Sequence, residues 1–200
     1  MKNLALPIFF MMAALVTSGV AADEKWNPSA PMPHDIVVGN PNASVTVVEY
    51  ASLTCPHCGR FHHESMPSFK EKMLDTGKAK LIYRHLPLDQ SALAGAIAAT
   101  CAPENLRFEV VSALFEELPV WAPDITKMVP VLQSQFGEKI DPDKMLECAK
   151  NSAISTEIVK GMQIAIDNGV SSTPTFFING EQFSGHIPAD DFNLLVEKAK

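Results

Sequence analysis

Two cysteines separated by two residues, Cys55-Pro56-His57-Cys58, lie where a Val-rich run gives way to a helical pattern. The unpaired N–H groups and the dipole at a helix N-terminus favour an anion, so a thiolate at Cys55 is stabilised there. Cys55 is expected to point outward from the first turn and to attack, or be attacked by, another sulfur. Cys58, one turn further in, is expected to be shielded and to resolve the mixed disulfide. His57, when protonated or well oriented, would lower the thiol pKa further. A lower pKa stabilises the reduced form, which makes the disulfide a stronger oxidant.

Two other readings of the pair carry less weight. A bridge between Cys55 and Cys58 closes a loop too small to stabilise a fold, so it makes better sense as chemistry than as a staple. A zinc site would need two further ligands. His62 and His63 sit a turn later on the same helix and could not close a tetrahedron without strain. Cys101 and Cys148 are the other two cysteines of the chain, and four cysteines allow three pairings.

The elements that must position the pair belong to an ordinary globular chain of 200 residues, 46% apolar and 20% charged. The net charge is −7, and no basic run could neutralise a row of phosphates, so nucleic-acid binding is excluded as a working class. Lys2, the uncharged stretch Leu4 to Val16, and the small residues Val20-Ala21-Ala22 form a secretory signal with cleavage expected after Ala22. An uncleaved membrane anchor is the alternative, disfavoured because Thr17, Ser18 and Gly19 interrupt the stretch. Export places the cysteines in an oxidising compartment.

Residues 23–34 read as an extended leader, Asp35 to Val38 as a short strand, and Ser44 to Tyr50 as a strand running into the cysteine pair. Phe61, Met66, Phe69, Met73 and Leu74 recur at helical spacing up to Thr76-Gly77, and Leu81-Ile82-Tyr83 marks a second core strand. Residues 90–168 look helical almost throughout, with Pro103 expected at the first position of a helix and Pro130 expected to kink another. Trp121 is expected in the core, and Asp141-Pro142 is a helix-start signal. Thr175 to Ile178 and Glu181 to Phe183 flank Asn179-Gly180, a hairpin signal, and a last helix follows Pro188.

A second chemical signal, Ser172-Thr173-Pro174-Thr175, precedes that late strand. Together, Cys55-Pro-His-Cys58, the strand Val47-Val-Glu-Tyr-Ala-Ser52 and Thr173-Pro-Thr-Phe-Phe-Ile-Asn-Gly180 resemble the DsbA family of periplasmic thiol–disulfide oxidoreductases. The Pro56-His57 dipeptide is that of the family's archetypal oxidases. The resemblance implies an α/β thioredoxin fold with an inserted all-helical domain. Its parts would be a signal peptide 1–22, a first thioredoxin-like segment 23–89, the insertion 90–168, and a second thioredoxin-like segment 169–200.

The resemblance further implies that Pro174 is cis, with Thr173 facing the cysteines and the flanking backbone able to pair with an extended substrate. Glu49 matches the acidic residue that the family places beneath the active site, where it would exchange a proton with Cys58; Lys80 is its candidate charge partner. Some members carry an extra bridge in the helical insertion, which implies Cys101–Cys148, worth about 4 kcal/mol in the chain-entropy model; two buried free thiols are the alternative. No cofactor is implied beyond the Cys55–Cys58 disulfide.

The expected partners are reduced, newly exported proteins and a membrane-bound reoxidising protein. Archetypal oxidases carry Val before the cis proline, whereas Thr173 is commoner among isomerases. Dimeric isomerases carry an N-terminal dimerisation module, and residues 23–34 are too few to build one, so a monomeric oxidase is expected. A reductase or isomerase, and a peptide-binding chaperone without turnover, are the competing functions.

Overall fold

The computed structural model describes residues 26–199; the signal expected over residues 1–22 lies outside them. Five strands form one mixed sheet in the order β1-β3-β2-β4-β5. β1 (Ile36–Gly39) and β3 (Ala79–His85) are antiparallel, while β3 and the central β2 (Val45–Ala51) are parallel. β4 (Thr175–Ile178) and β5 (Glu181–Ser184) are joined by the Asn179-Gly180 turn, and β4 runs antiparallel to β2. Asn179 and Gly180 both have positive φ, which suits Asn and Gly in a two-residue hairpin.

β2 is buried on both faces because each is covered. One face carries Val47, Glu49 and Ala51 against Leu81, Tyr83, Phe61 and Phe115; the other carries Val48 and Tyr50 against Ile82, Phe177 and Ala165. The parallel β2–β3 pair demands a long crossover, which the cysteine helix supplies.

That helix is not one continuous rod. α1 (Pro56–Glu64) ends at Ser65, a short α2 (Met66–Phe69) follows, and a π turn spans Lys70–Leu74. Pro67 has no N–H for the helical ladder, so the break falls just before it. The helical periodicity had suggested a single helix, since the apolar positions stay buried through the bend.

The chain leaves the sheet after His85 and returns at Thr175. Between them come α3 (Gln90–Cys101), α4 (Arg107–Glu116), α5 (Leu118–Trp121), α6 (Met128–Phe136), α7 (Pro142–Ala149) and α8 (Ser152–Asp167). α9 (Ala189–Lys198) closes the fold. Pro103 precedes a 3₁₀ turn, Glu104–Leu106, rather than opening α4 itself. Pro130 causes no break in α6, because it falls in the first turn, where helical N–H groups have no intrahelical partner. Trp121 is fully buried, its indole N–H donating to the Leu114 carbonyl at 2.7 Å. Cys101 and Cys148 are bonded, joining α3 to α7 across 47 residues of sequence.

Within the leader expected over residues 23–34, the described part, from Trp26 on, is tied to the sheet. Arg84, almost wholly buried, pairs with Asp35 and donates to the Pro28 and Ala30 carbonyls and to the Tyr50 hydroxyl. Trp26 packs edge-on to Phe177, with ring centroids 5.3 Å apart. A buried guanidinium needs every donor met, and this segment meets most of them.

Candidate redox site

Cys55 is the N-cap of α1, and Pro56 occupies the first helical turn. Three residues before it, the backbone turns: the Cys55 N–H donates to the Ser52 carbonyl at 3.0 Å. Two hydroxyls and a carboxylate lock this turn. Thr54 Oγ1 donates to Asp89 Oδ2 at 2.6 Å, and the Leu88 N–H donates to Ser52 Oγ at 3.3 Å. The other Asp89 oxygen accepts from the Ala92 N–H at 2.7 Å and caps α3. Asp89, Thr54 and Ser52 were missed from sequence; a cap residue at the start of α3 was the available signal, but its second bond spans 35 residues.

α1 is anchored to β4 and α9 by aromatic packing. Phe61 lies 4.6 Å from Phe176 and 4.8 Å from Phe192, ring centre to ring centre. Phe176 follows Pro174 by two residues, so one cluster sets the cysteine helix against the proline turn. The Thr173–Pro174 peptide bond is cis. There the Cys55 thiol donates to the Thr173 carbonyl at 3.3 Å. The Thr173 hydroxyl is buried and makes no hydrogen bond of ordinary geometry.

The two cysteines are in the dithiol form and electrostatically unlike. The Cys55 thiol is lowered to about 5: the Cys58 thiol donates to it, the Thr173 side chain and the backbone N–H groups of Cys58 and His57 add to the effect, and burial opposes it. Cys58 is pushed far up, first by burial, then by its bond to Cys55 and by the charges of Cys55 and Glu49. One sulfur is thus a ready nucleophile and the other holds its proton.

Three expectations need correction. Cys55 is only 7% exposed rather than open, because the Thr173 carbonyl lies against the sulfur. His57 contributes through its backbone N–H, while its side chain is exposed to solvent beside the equally exposed Pro56. Lys80 does not pair with Glu49. It stands opposite Thr46 in the sheet, and its amine reaches the Pro41 carbonyl instead.

Glu49 is wholly buried and meets His62, whose Nε2 lies 3.1 and 3.2 Å from the two carboxylate oxygens. His62 had been weighed only as a zinc ligand; its place four residues after Cys58, on the same helix face, was the signal for this role. Among the described residues no group of three or more His, Cys, Asp or Glu is placed to hold a metal ion. No helix among them is long and apolar enough to cross a membrane.

Comparison with known proteins agrees with this geometry. The family described as Thioredoxin matches residues 32–198. A Rickettsia conorii protein, named a protein-disulfide oxidoreductase, is 30% identical over 170 residues, which cover 83% of this chain and 60% of that one. The chain thus spans about 60% of the length of such curated relatives. The crystal structure of Wolbachia pipientis alpha-DsbA1 superposes with a TM-score of 0.76 at 30% identity, covering 84% of this chain and 92% of that one. BdbD from Bacillus subtilis, at 20% identity and a TM-score of 0.72 over 83% of this chain and 92% of its own, shares the fold. The family match over residues 32–198 and the likeness to alpha-DsbA1 over most of both chains place the chain in the DsbA family of the thioredoxin superfamily.

Proposed function

We propose that the protein is a periplasmic thiol–disulfide oxidoreductase that works as an oxidase, donating its Cys55–Cys58 disulfide to reduced, newly exported proteins. The observation that carries this reading is the contrast between the two sulfurs: the Cys55 thiol is lowered to about 5 and that of Cys58 is raised. A stabilised Cys55 thiolate favours the reduced form, so the disulfide passes readily to a substrate.

A substrate thiolate attacks Cys55 Sγ, the Cys55–Cys58 bond breaks, and the electron pair leaves on Cys58, which takes a proton. A second substrate thiolate then attacks the substrate sulfur of the mixed disulfide, and Cys55 leaves as a thiolate. The substrate gains a disulfide and the protein becomes a dithiol. A membrane-bound partner with an oxidising disulfide restores it. The Thr173 carbonyl lies beside Cys55, so a peptide held there places its cysteine near the reactive sulfur.

Cys55→Ser is expected to abolish oxidation of a dithiol peptide; a variant that retained it would remove the assignment. One feature favours a second reading as isomerase or reductase: the Thr173 hydroxyl, buried near the Cys55 sulfur. Rates of insulin reduction and of peptide oxidation, measured on the same preparation, separate the two. The oxidase reading expects oxidation to dominate.

A further inference from the structure

Glu49 presents a problem that the disulfide chemistry alone does not solve. It is a carboxylate with no exposure, on the central strand, and His62 is its only hydrogen-bond partner among the described residues. Around the pair, β4 brings Phe176 opposite Glu49 in the sheet, and Phe61 of α1 packs edge-on to the imidazole. α1 brings Cys58 and His62, β3 brings Tyr83, and α4 brings the uncharged rings of Phe108 and Phe115. The Phe115 ring lies 4.3 Å from the imidazole, centre to centre. The Tyr83 hydroxyl feels the charge of Glu49 and of Cys58 but forms no hydrogen bond.

His62 Nδ1 is also buried and unpartnered. A proton there would be an unsatisfied buried donor, whereas a proton on Nε2 points at the two carboxylate oxygens. The imidazole therefore carries its proton on Nε2. A buried carboxylate in this apolar setting needs a hydrogen-bond donor, and Nε2–H supplies it.

We propose that His62 is the positioning residue for disulfide closure: its Nε2–H holds Glu49 as an oriented carboxylate that takes the proton of Cys58. The inference rests on the disulfide-exchange reading and adds to it the residue that makes the buried acid usable. In the closing step the proton of Cys58 passes to Glu49. The Cys58 electron pair forms the bond to Cys55 Sγ, the bond between Cys55 and the partner sulfur breaks, and its electron pair leaves on the partner as a thiolate. The oxidant is the partner's own disulfide, consumed in forming the mixed disulfide. Because Cys58 holds its proton so firmly, closure depends on this transfer.

Reduced protein mixed with oxidised glutathione and quenched in acid at intervals resolves the Cys55–glutathione adduct from the closed disulfide by mass. Wild type is expected to close without accumulating the adduct. His62→Leu and Glu49→Gln are each expected to accumulate it and to close roughly a hundredfold more slowly or worse, the loss of a general base. The double variant is expected to be no slower than either single one. His62→Gln, which keeps an N–H donor but cannot titrate as imidazole, is expected to close at nearly the wild-type rate.

Closure of His62→Leu at the wild-type rate would overturn the proposal, as would a double variant slowed by the product of the single effects. Should His62→Leu fail to fold, the nitrogen resonances of His62 in the wild-type protein decide: Nε2 protonated and Nδ1 bare supports the proposal, and the opposite tautomer overturns it. If wild type itself forms no Cys55–Cys58 disulfide, the exchange reading fails first and independently of His62.

Discussion

Asp89 and Thr54 are joined by a 2.6 Å hydrogen bond that ties the first helix of the inserted block to the turn holding Cys55. The same carboxylate caps α3 through the Ala92 N–H, so one side chain supports both a helix and the active-site turn. Helical block and thioredoxin sheet therefore meet at the turn that carries the reactive sulfur.

Removing that carboxylate has two separable consequences. Asp89→Ala is expected to lower stability by about 1 kcal/mol or more through the lost cap. It also frees the Thr54 hydroxyl, so alkylation of Cys55 in the reduced protein should change in rate. Denaturant unfolding and iodoacetamide kinetics read the two effects; a stable variant with unaltered alkylation would mean that the bond holds nothing in place.

The two thiols make the reduction potential depend on pH in a particular way. Below about pH 5 both sulfurs of the reduced form carry protons, and the potential should fall by about 59 mV per pH unit. Above it Cys55 is a thiolate while Cys58 stays protonated, so the slope should halve to about 30 mV. The folded Cys55 pKa is depressed below the unfolded value of about 8.5. Its stabilisation of the reduced fold is complete near that value and is lost as pH falls through about 5. Cys58, whose pKa is raised, is protonated in both states across this window and begins to destabilise only above it. The melting temperature of the reduced form should consequently rise relative to the oxidised form between those limits.

Much of this arrangement was readable in the sequence where the signal is local. The CxxC at a strand–helix junction, the Asn179-Gly180 hairpin, the Asp141 cap and the burial of Trp121 each depend on a few neighbouring residues or on side-chain type. What escaped depends on partners far along the chain. Glu49 finds His62 rather than Lys80 because strand register turns Lys80 toward the Pro41 loop, and register is not visible in one strand's own residues. The clamp of Arg84 on residues 28–35 escaped for the same reason, since a lone arginine in a strand carries no mark of its partners.

Gly95 shows how closely the two parts fit. A β-carbon there would lie 2.8 Å from Leu53 Cδ1 and 3.0 Å from Trp121 Cη2. Alanine would gain about 1 kcal/mol of helix propensity. Leu53 and Trp121 are both buried and cannot swing away, so overpacking of about 1–3 kcal/mol outweighs the gain. Gly95→Ala is expected to lower the melting temperature and to alter Cys55 reactivity, because Leu53 precedes Cys55 by two residues; an alanine variant more stable than wild type would show that the contact relaxes freely.

The Cys101–Cys148 bond joins α3 to α7 away from the reactive pair. Cys101→Ala with Cys148→Ala should cost about 2–5 kcal/mol of stability, since a long loop is released in the unfolded chain. Cys55 reactivity in the folded protein should stay at the wild-type level. Calorimetry with parallel thiol kinetics tests both, and a large change in the kinetics would show that the bridge acts on the site.

If the Cys55 thiolate is stabilised as proposed, the Cys55–Cys58 disulfide is strongly oxidising. Equilibration of the protein without residues 1–22 against glutathione buffers, following Cys55 by mass after trapping, measures that potential directly. The potential is expected between about −120 and −180 mV, in the range of DsbA and protein disulfide isomerase. A value near about −270 mV, that of thioredoxin, would contradict it and make the protein a reductase.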